Sequence, residues 1–188
     1  EDVKNLVKWV AERKDKNPSL SITARAAGSD MSGGVLNNSI IADFTAHFSK
    51  TEMFGTNFAV VEPGVFYRDF EKLSLERNLI LPCFTASKSL NTVGGMVGNN
   101  SAGEKSLSYG QTKDYVEELH LVLSDGNEYI FGELDDHGLN QKLKLPGFEG
   151  EIYRKMWDLI SNNYDHIKNA KPAVSKNSAG YYLWNVYD

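Results

Sequence analysis

The 188-residue chain carries 20 Lys and Arg against 25 Asp and Glu, a net charge of -5, and 41% of its residues are apolar. This is the composition of a globular protein, and it lacks the basic surplus that nucleic-acid binding requires. No apolar run reaches the roughly 18 residues of a membrane-spanning helix. The single cysteine, Cys83, excludes an internal disulfide and favours a reducing compartment. We therefore predict a cytoplasmic protein with no transmembrane segment and no nucleic-acid partner, and leave open peripheral membrane association of the full-length protein.

The first third of the chain alternates helix and strand signals. Apolar residues at helical spacing predict a helix over residues 3–10, and Ile22 and Ala24 predict a half-buried strand whose polar residues face outward. "SIIADFT" (39–45) and "NFAVVEPGV" (57–65) predict two further strands, the second ended by a proline–glycine turn. "FYRDFEKLSLERN" (66–78) predicts a helix. This order of elements indicates an α/β or α+β domain.

The second part of the chain begins with a long polar, glycine-bearing stretch over residues 79–110, which is more often functional than idle. Val93, Met96 and Val97 lie at helical spacing within it. "YVEELHLVLSDGNEYIFGEL" (115–134) predicts a hairpin that turns at Asp125-Gly126.

The region after the hairpin predicts a surface loop at 134–150, followed by a helix at 151–170. We interpret the apolar stripe of that helix as core packing rather than as a cofactor face. The stripe consists of Ile152, Met156, Leu159, Ile160 and Ile167.

A glycine- and serine-rich loop, "RAAGSDMSGG" (25–34), follows the first predicted strand. Exposed consecutive main-chain amides bind anions, and phosphate is the usual ligand. A plain turn is the alternative, but the loop contains more small residues than a turn requires. The dinucleotide fingerprint is absent, and Gly34 and Val35 occupy the positions of the lysine and hydroxyl residues of a Walker A loop. The loop therefore predicts phosphate binding without NTP hydrolysis.

This loop resembles the pyrophosphate loop of FAD-linked oxidases of the vanillyl-alcohol oxidase/p-cresol methylhydroxylase (PCMH) type. The glycolate oxidase subunit and D-lactate dehydrogenase branch of that family carries R-G-x-G-T-x-x-S-G-G there. Further similar segments follow in the family's order over residues 3–132 and 174–188. They are "VVEPGV" (60–65), "NTVGGMVGNNSAGEKSLSYGQTKDYV" (91–116), "LVLSDG" (121–126) and "KNSAGYYL" (176–183).

The resemblance implies an α+β, PCMH-type FAD-binding domain of two α/β lobes with the flavin between them. We expect the first lobe at about 1–75 and the second at about 76–188, with an insertion at about 133–173. That insertion would cover the edge of the site, mediate dimerisation, dock another domain or simply pack on the surface. The initial residues read like the interior of a longer protein, so we predict a truncated fragment. It would lack the end of the FAD-binding domain and the cap domain, and would be inactive alone.

The resemblance also implies which residues bind the cofactor, with the loop on the diphosphate, a proline–glycine pair at the adenine end and later polar segments around the flavin. These residues are Ala26, Ala27, Gly28, Ser29, Asp30, Met31 and Ser32 in the loop, Pro63 and Gly64 at the adenine end, and Thr85, Ser87, Thr92, Gly94, Gly95, Gly98, Asn99 and Ser101 around the flavin.

Three of these residues carry a more specific expectation. Gly94 and Gly95 would leave room for the flavin ring. Asp30 departs from the family pattern, because an acid beside a diphosphate should repel it. We expect its carboxylate to point away from the ligand and to cap loop amides. Arg25, which precedes the loop, would either assist binding electrostatically or brace the loop.

Noncovalent FAD is the predicted cofactor, because none of the four histidines lies in the glycine loop. No residue spacing indicates a metal site. We predict the FAD-binding part of an oxidoreductase that oxidises a small 2-hydroxy acid, such as lactate, glycolate or 2-hydroxyglutarate, by hydride transfer. Its electron acceptor is unassigned, and its catalytic residues are expected downstream of Asp188. A non-catalytic flavin-binding or assembly module and a cell-wall precursor reductase of the same fold remain alternatives.

Overall fold

The computed structural model describes residues 1–174, 177 and 180–188. The chain forms two compact units, residues 1–116 and residues 117–188. The predicted lobe boundary near residue 75 stays a prediction. Part of the "KNSAGYYL" segment, namely Lys176, Ser178 and Ala179, lies outside the described residues.

The first unit combines short helices with two two-stranded sheets. Its helices are α1 (Asp2–Ala11), α2 (Tyr67–Leu75), α3 (Val93–Gly98) and α4 (Ser106–Tyr109), followed by a 3-10 turn at Thr112–Tyr115. Its strands are β1 (Ile22–Arg25), β2 (Ile40–Asp43), β3 (Thr51–Phe54) and β4 (Ala59–Val61). Strands β1 and β2 are parallel, and β3 and β4 are antiparallel.

One prediction for this unit is wrong in detail, and one strand was missed. Ile22 is half-buried as expected, but Ala24 is exposed whereas Thr23 and Arg25 are half-buried, so the expected alternation is absent. The polar face is covered because Asn37 donates a hydrogen bond to the Thr23 hydroxyl (3.0 Å) and the Arg25 side chain packs beside Gly28. Strand β3 was not predicted, and its pairing with β4 is irregular between Thr51 and Met53, which disrupts the alternation by which strands are recognised.

The core of the first unit is aromatic, and it holds α3 in place. It consists of Val65, Tyr67, Phe70, Cys83, Phe84 and Met96. The Tyr67 hydroxyl donates to the Leu81 carbonyl (2.8 Å), so the segment before Cys83 is tied to α2. The Val93 amide donates to the Val65 carbonyl (2.8 Å), which joins the start of α3 to the segment before α2. Burial also raises the pKa of the Cys83 thiol.

The second unit is a hairpin followed by helices. It contains β5 (Glu118–Val122), β6 (Glu128–Gly132), α5 (Asp136–Lys144), α6 (Gly147–Ser161), α7 (Tyr164–Asn169) and a 3-10 turn at Leu183–Asn185. The predicted hairpin is confirmed, and Gly126 supplies the positive φ (72°) that its turn needs. Tyr129 and Phe131 on one face of the hairpin contact Phe148 and Tyr153 of α6.

The prediction of a loop at 134–150 is wrong, because α5 lies there. The Asp135 carboxylate starts this helix by accepting a hydrogen bond from the Gly138 amide (2.7 Å). The single helix predicted at 151–170 is two helices, since α6 ends at Ser161 and α7 begins at Tyr164.

The apolar stripe of these helices is only partly core. Ile160 and Ile167 are buried, whereas Met156 and Leu159 are 37% and 46% exposed. Among the described residues, no helix combines the length and apolarity needed to cross a bilayer.

Candidate functional site

The glycine loop leaves β1 at Arg25 and turns sharply at Gly28. Gly28 has a φ of 69°, which favours glycine, and a Cβ there would lie 2.8 Å from Arg25 Nη2. The backbone conformation therefore favours a glycine at this position, whereas the end of the Arg25 side chain could move aside for a Cβ. The side chain of Arg25 packs against the turn, as expected of a brace.

The main-chain amides of residues 26–31 donate no hydrogen bond to any acceptor in the described part of the chain. Within the same part, the Arg25 guanidinium forms no hydrogen bond and no ion pair within 4 Å, although its charge acts on the Asp43 carboxylate of the paired strand. Six consecutive N–H donors with a cation beside them are the donor set that a phosphate or diphosphate group requires. The residues of the loop therefore fit the anionic part of FAD.

The far end of the loop is different, because its donors are occupied by Asp30. The Asp30 carboxylate accepts hydrogen bonds from the Ser32 amide (3.1 Å) and from the Ser32 hydroxyl. These bonds, led by that of the hydroxyl and aided by the Gly34 amide, hold the pKa of Asp30 below its ordinary value. The expectation that Asp30 caps loop amides is confirmed.

Helix α3 lies against the start of the loop. A Cβ added to Gly95 would be 3.7 Å from the Cβ of Ala26, which is ordinary contact distance. The buried Thr92 begins this helix, and its hydroxyl accepts a hydrogen bond from the Gly95 amide (3.2 Å). Two segments that are about 70 residues apart in the sequence thus approach each other at Ala26 and Gly95.

Gly94 and Gly98 differ in why they lack side chains. A Cβ at Gly94 would lie 2.5 Å from Pro63 Cβ and 2.6 Å from the Pro63 carbonyl oxygen, to which the Gly94 amide donates. The close approach of Pro63 therefore explains Gly94 without any ligand. A Cβ at Gly98 would meet no atom within 4 Å, so packing does not explain that glycine.

Pro63 and Gly64 connect α3 to the loop that follows β2. The Gly64 amide donates to the Phe48 carbonyl (2.7 Å), and a Cβ at Gly64 would lie 2.1 Å from the Phe44 carbonyl oxygen. This pair has a clear structural role, and its predicted place at the adenine end stays a prediction.

The remaining predicted flavin contacts fall into two groups. The hydroxyls of Thr85 and Ser87 bond to each other (2.9 Å), and Thr85 also bonds to the amide of buried Asn91 (3.1 Å). These two side chains are thus engaged in their own loop. The Asn99 and Ser101 side chains form no hydrogen bond within the described part of the chain, although the Ser101 carbonyl is held by Thr112. Their predicted contacts with the flavin stay a prediction.

Substitution of Gly94 and Gly98 by alanine tests whether packing on Pro63 requires glycine at the first position but not at the second. We expect Gly94→Ala to lower the free energy of unfolding by about 1–3 kcal/mol, because the methyl group overlaps Pro63. Gly98→Ala is the matched control. It should leave that free energy unchanged or raise it by up to about 1 kcal/mol, because alanine favours the helix. Urea unfolding followed by circular dichroism measures both, and equal destabilisation would contradict the packing described for Gly94.

Comparison with known proteins agrees with this geometry. A family described as "FAD binding domain" matches residues 1–132. D-2-hydroxyglutarate dehydrogenase of Pseudomonas putida is 26% identical over 171 residues, which cover 90% of this chain and 17% of the relative. The glycolate oxidase subunit GlcD of Bacillus subtilis is 31% identical over 109 residues, 56% of this chain and 23% of the relative.

D-lactate dehydrogenase of Archaeoglobus fulgidus is 28% identical over 128 residues, which cover 67% of this chain and 28% of the relative. The chain therefore spans a sixth to about a quarter of the length of these curated relatives.

Solved structures show the same fold. The structure of 6-hydroxy-D-nicotine oxidase from Arthrobacter nicotinovorans superposes with a TM-score of 0.58 at 20% identity, over 70% of this chain and 28% of that one. That of alkyldihydroxyacetonephosphate synthase has a TM-score of 0.57 at 18% identity, over 71% and 26%. The fold is α+β and of the PCMH-type FAD-binding class, and the chain belongs to the FAD binding domain family of flavin-linked oxidoreductases.

Proposed function

We propose that this chain is the FAD-binding part of an oxidoreductase that, when complete, holds FAD noncovalently and oxidises a small 2-hydroxy acid. The observation that carries the proposal is the run of main-chain amides at residues 26–31, which have no acceptor in the described part of the chain and lie beside the Arg25 guanidinium. Each such donor gains an acceptor when an anion binds, and bonds to a charged oxygen are stronger than neutral ones.

The diphosphate of FAD suits this loop because it presents several anionic oxygens within a few ångströms. Gly28 allows the chain to turn without a side chain, so a ligand can approach the main chain closely. The contact of Ala26 with Gly95 supports the second part of the proposal, in which the flavin lies along α3. Gly98, Asn99 and Ser101 would face it there, because no packing or hydrogen bond of their side chains competes.

FAD, when bound, would accept the hydride that leaves the hydroxyl-bearing carbon of the substrate. The protein's part in such chemistry is to bind and orient the cofactor and to set its surroundings. We assign no catalytic residue among these 188 residues, and we leave the electron acceptor unassigned. The cytoplasm remains the proposed compartment, on the strength of the single buried thiol of Cys83.

The substrate class rests on relatives. Those compared above are named for 2-hydroxyglutarate, glycolate and lactate, which are all 2-hydroxy acids. A carboxylate next to the hydroxyl-bearing carbon is what these compounds share, so we propose it as the feature that the complete enzyme recognises. The insertion after β6 packs on the hairpin through Tyr129 and Phe131, and we propose no further role for it.

Removal of the Arg25 charge tests the binding site. In the complete natural protein, we expect Arg25→Ala to raise the dissociation constant of FAD about tenfold, because one charge-assisted contact is worth about 1.5 kcal/mol. Arg13→Ala is the matched control, since the exposed Arg13 stacks on Trp9 and pairs with Glu12 outside the loop. Quenching of flavin fluorescence gives both constants. A protein that stays colourless with added FAD, or equal effects of the two variants, would contradict the proposal.

Reduction by substrate tests the activity. In the complete holoenzyme, we expect at least one member of a panel of D-2-hydroxy acids to bleach the visible absorbance of the bound flavin without oxygen. Chemical reduction by dithionite serves as the positive control. Bleaching by dithionite but by none of the acids would favour a non-catalytic flavin module, and bleaching by NADPH would favour a reductase of the same fold. Flavin released by denaturant without proteolysis would confirm that the cofactor is noncovalent.

A further inference from the structure

We propose that Asp30 is a positioning residue that closes the far half of the glycine loop, so that the cofactor's diphosphate is received by the amides of residues 26–31 and not by Ser32 or Gly34. This inference rests on the proposed function, because it concerns how the same loop treats its ligand.

The first step is the placement of the carboxylate. One oxygen accepts from the Ser32 amide (3.1 Å), and the other accepts from the Ser32 hydroxyl. A Cβ at Gly34 would lie 3.2 Å from that second oxygen, so the carboxylate also lies against Gly34. An internal anion thus occupies the donors that a second phosphate-binding position would need.

The second step is the division of the loop that results. The amides of residues 26–31 have no acceptor within the described part of the chain, whereas the Ser32 amide is committed to Asp30. Beyond it, the chain turns at Gly33, whose φ is 81°, and the Leu36 amide donates to the Gly33 carbonyl (3.0 Å). The far half of the loop, from Ser32 onward, therefore forms hydrogen bonds within itself, and the near half, residues 26–31, is available to a ligand.

The third step concerns Ser32, which the sequence predicts as a direct contact to FAD. Its hydroxyl donates its single proton to Asp30, so it has none left for a phosphate oxygen. Ser32 therefore acts through Asp30, as part of the closure. The two residues should behave as one unit when substituted.

The fourth step distinguishes two properties of Asp30, namely the hydrogen bonds that it accepts and its negative charge. The carboxylate is negative, and a like charge several ångströms from a diphosphate in water-like surroundings costs about a few-fold in affinity. Asparagine keeps an acceptor oxygen for the Ser32 amide and removes the charge, whereas alanine removes both. Asp30→Asn and Asp30→Ala therefore report different properties of the same side chain.

A matched control exists in the hairpin turn of the second unit. One carboxylate oxygen of Asp125 accepts from the Asn127 amide (3.1 Å), again two residues on, and the other accepts from the Tyr129 hydroxyl. Asp43 is not suitable, because it pairs with Arg25 across β1 and β2 and the Arg25 charge helps to lower its pKa after the bonds from Thr45. Asp125→Ala thus removes the same charge and the same kind of cap as Asp30→Ala, outside the glycine loop.

The experiment measures FAD dissociation constants of these variants in the complete natural protein, with riboflavin as a probe that lacks the diphosphate. We expect Asp30→Ala to raise the dissociation constant of FAD about tenfold and that of riboflavin less than twofold. Asp30→Asn should bind FAD as tightly as the unchanged protein or up to about threefold more tightly. Asp125→Ala should keep the dissociation constant of FAD within twofold of that of the unchanged protein. Adding Ser32→Ala to Asp30→Ala should cause no further loss, which is the coupling expected of residues that act as a unit.

Four results would overturn the inference. The first two are that Asp30→Ala binds FAD as tightly as the unchanged protein, or that Asp30→Asn binds it as weakly as Asp30→Ala. The other two are that Asp125→Ala binds FAD as weakly as Asp30→Ala, or that Ser32→Ala weakens FAD binding further in the Asp30→Ala background. Failure of the unchanged protein to bind FAD would instead refute the proposed function. If Asp30→Ala does not fold, the variants Asp30→Asn and Ser32→Ala test the inference instead. An increase of more than threefold in the FAD dissociation constant of Asp30→Asn would then refute the bracing role of Asp30. Ser32→Ala should raise the dissociation constant of FAD but not that of riboflavin.

Discussion

The candidate site depends on a run of main-chain N–H groups at residues 26–31 that have no acceptor in the described part of the chain. Loop amides of this kind bond to water when no ligand is present, and an anion that replaces the water forms charge-assisted bonds with several of them at once. Gly28 supplies the positive φ (69°) with which the chain turns there, and the Arg25 side chain lies beside it. The loop therefore offers an anion several donors and a cation in one place.

The surrounding structure supports that loop from both ends. The pairing of β1 with β2 fixes where the loop begins, and the contact of Ala26 with Gly95 brings it to α3. Helix α3 is in turn held by Pro63 and by the aromatic core around Tyr67. Positioning of the loop is therefore a consequence of packing some distance away. Changes at Pro63 or Gly94 should act on the site through the fold rather than through the ligand.

Much of this could be predicted from the sequence because the signals were local. The glycine loop, the hairpin turn at Asp125-Gly126 and the helix after Pro63-Gly64 each follow from a few adjacent residues. The contact of Gly94 with Pro63 could not be predicted, because it joins residues some thirty positions apart. Helix α5 was missed since its start depends on one capping carboxylate, Asp135, rather than on apolar periodicity.

Amide NMR of the isotope-labelled complete protein, titrated with ADP, tests the central claim most directly, because it observes the loop donors themselves. The account predicts large shifts of the amide resonances of residues 26–31, with those of Ser32 and Gly34 nearly unmoved. Shifts confined to Ser32 and Gly34, or a loop that does not respond while FAD binds elsewhere, would contradict it.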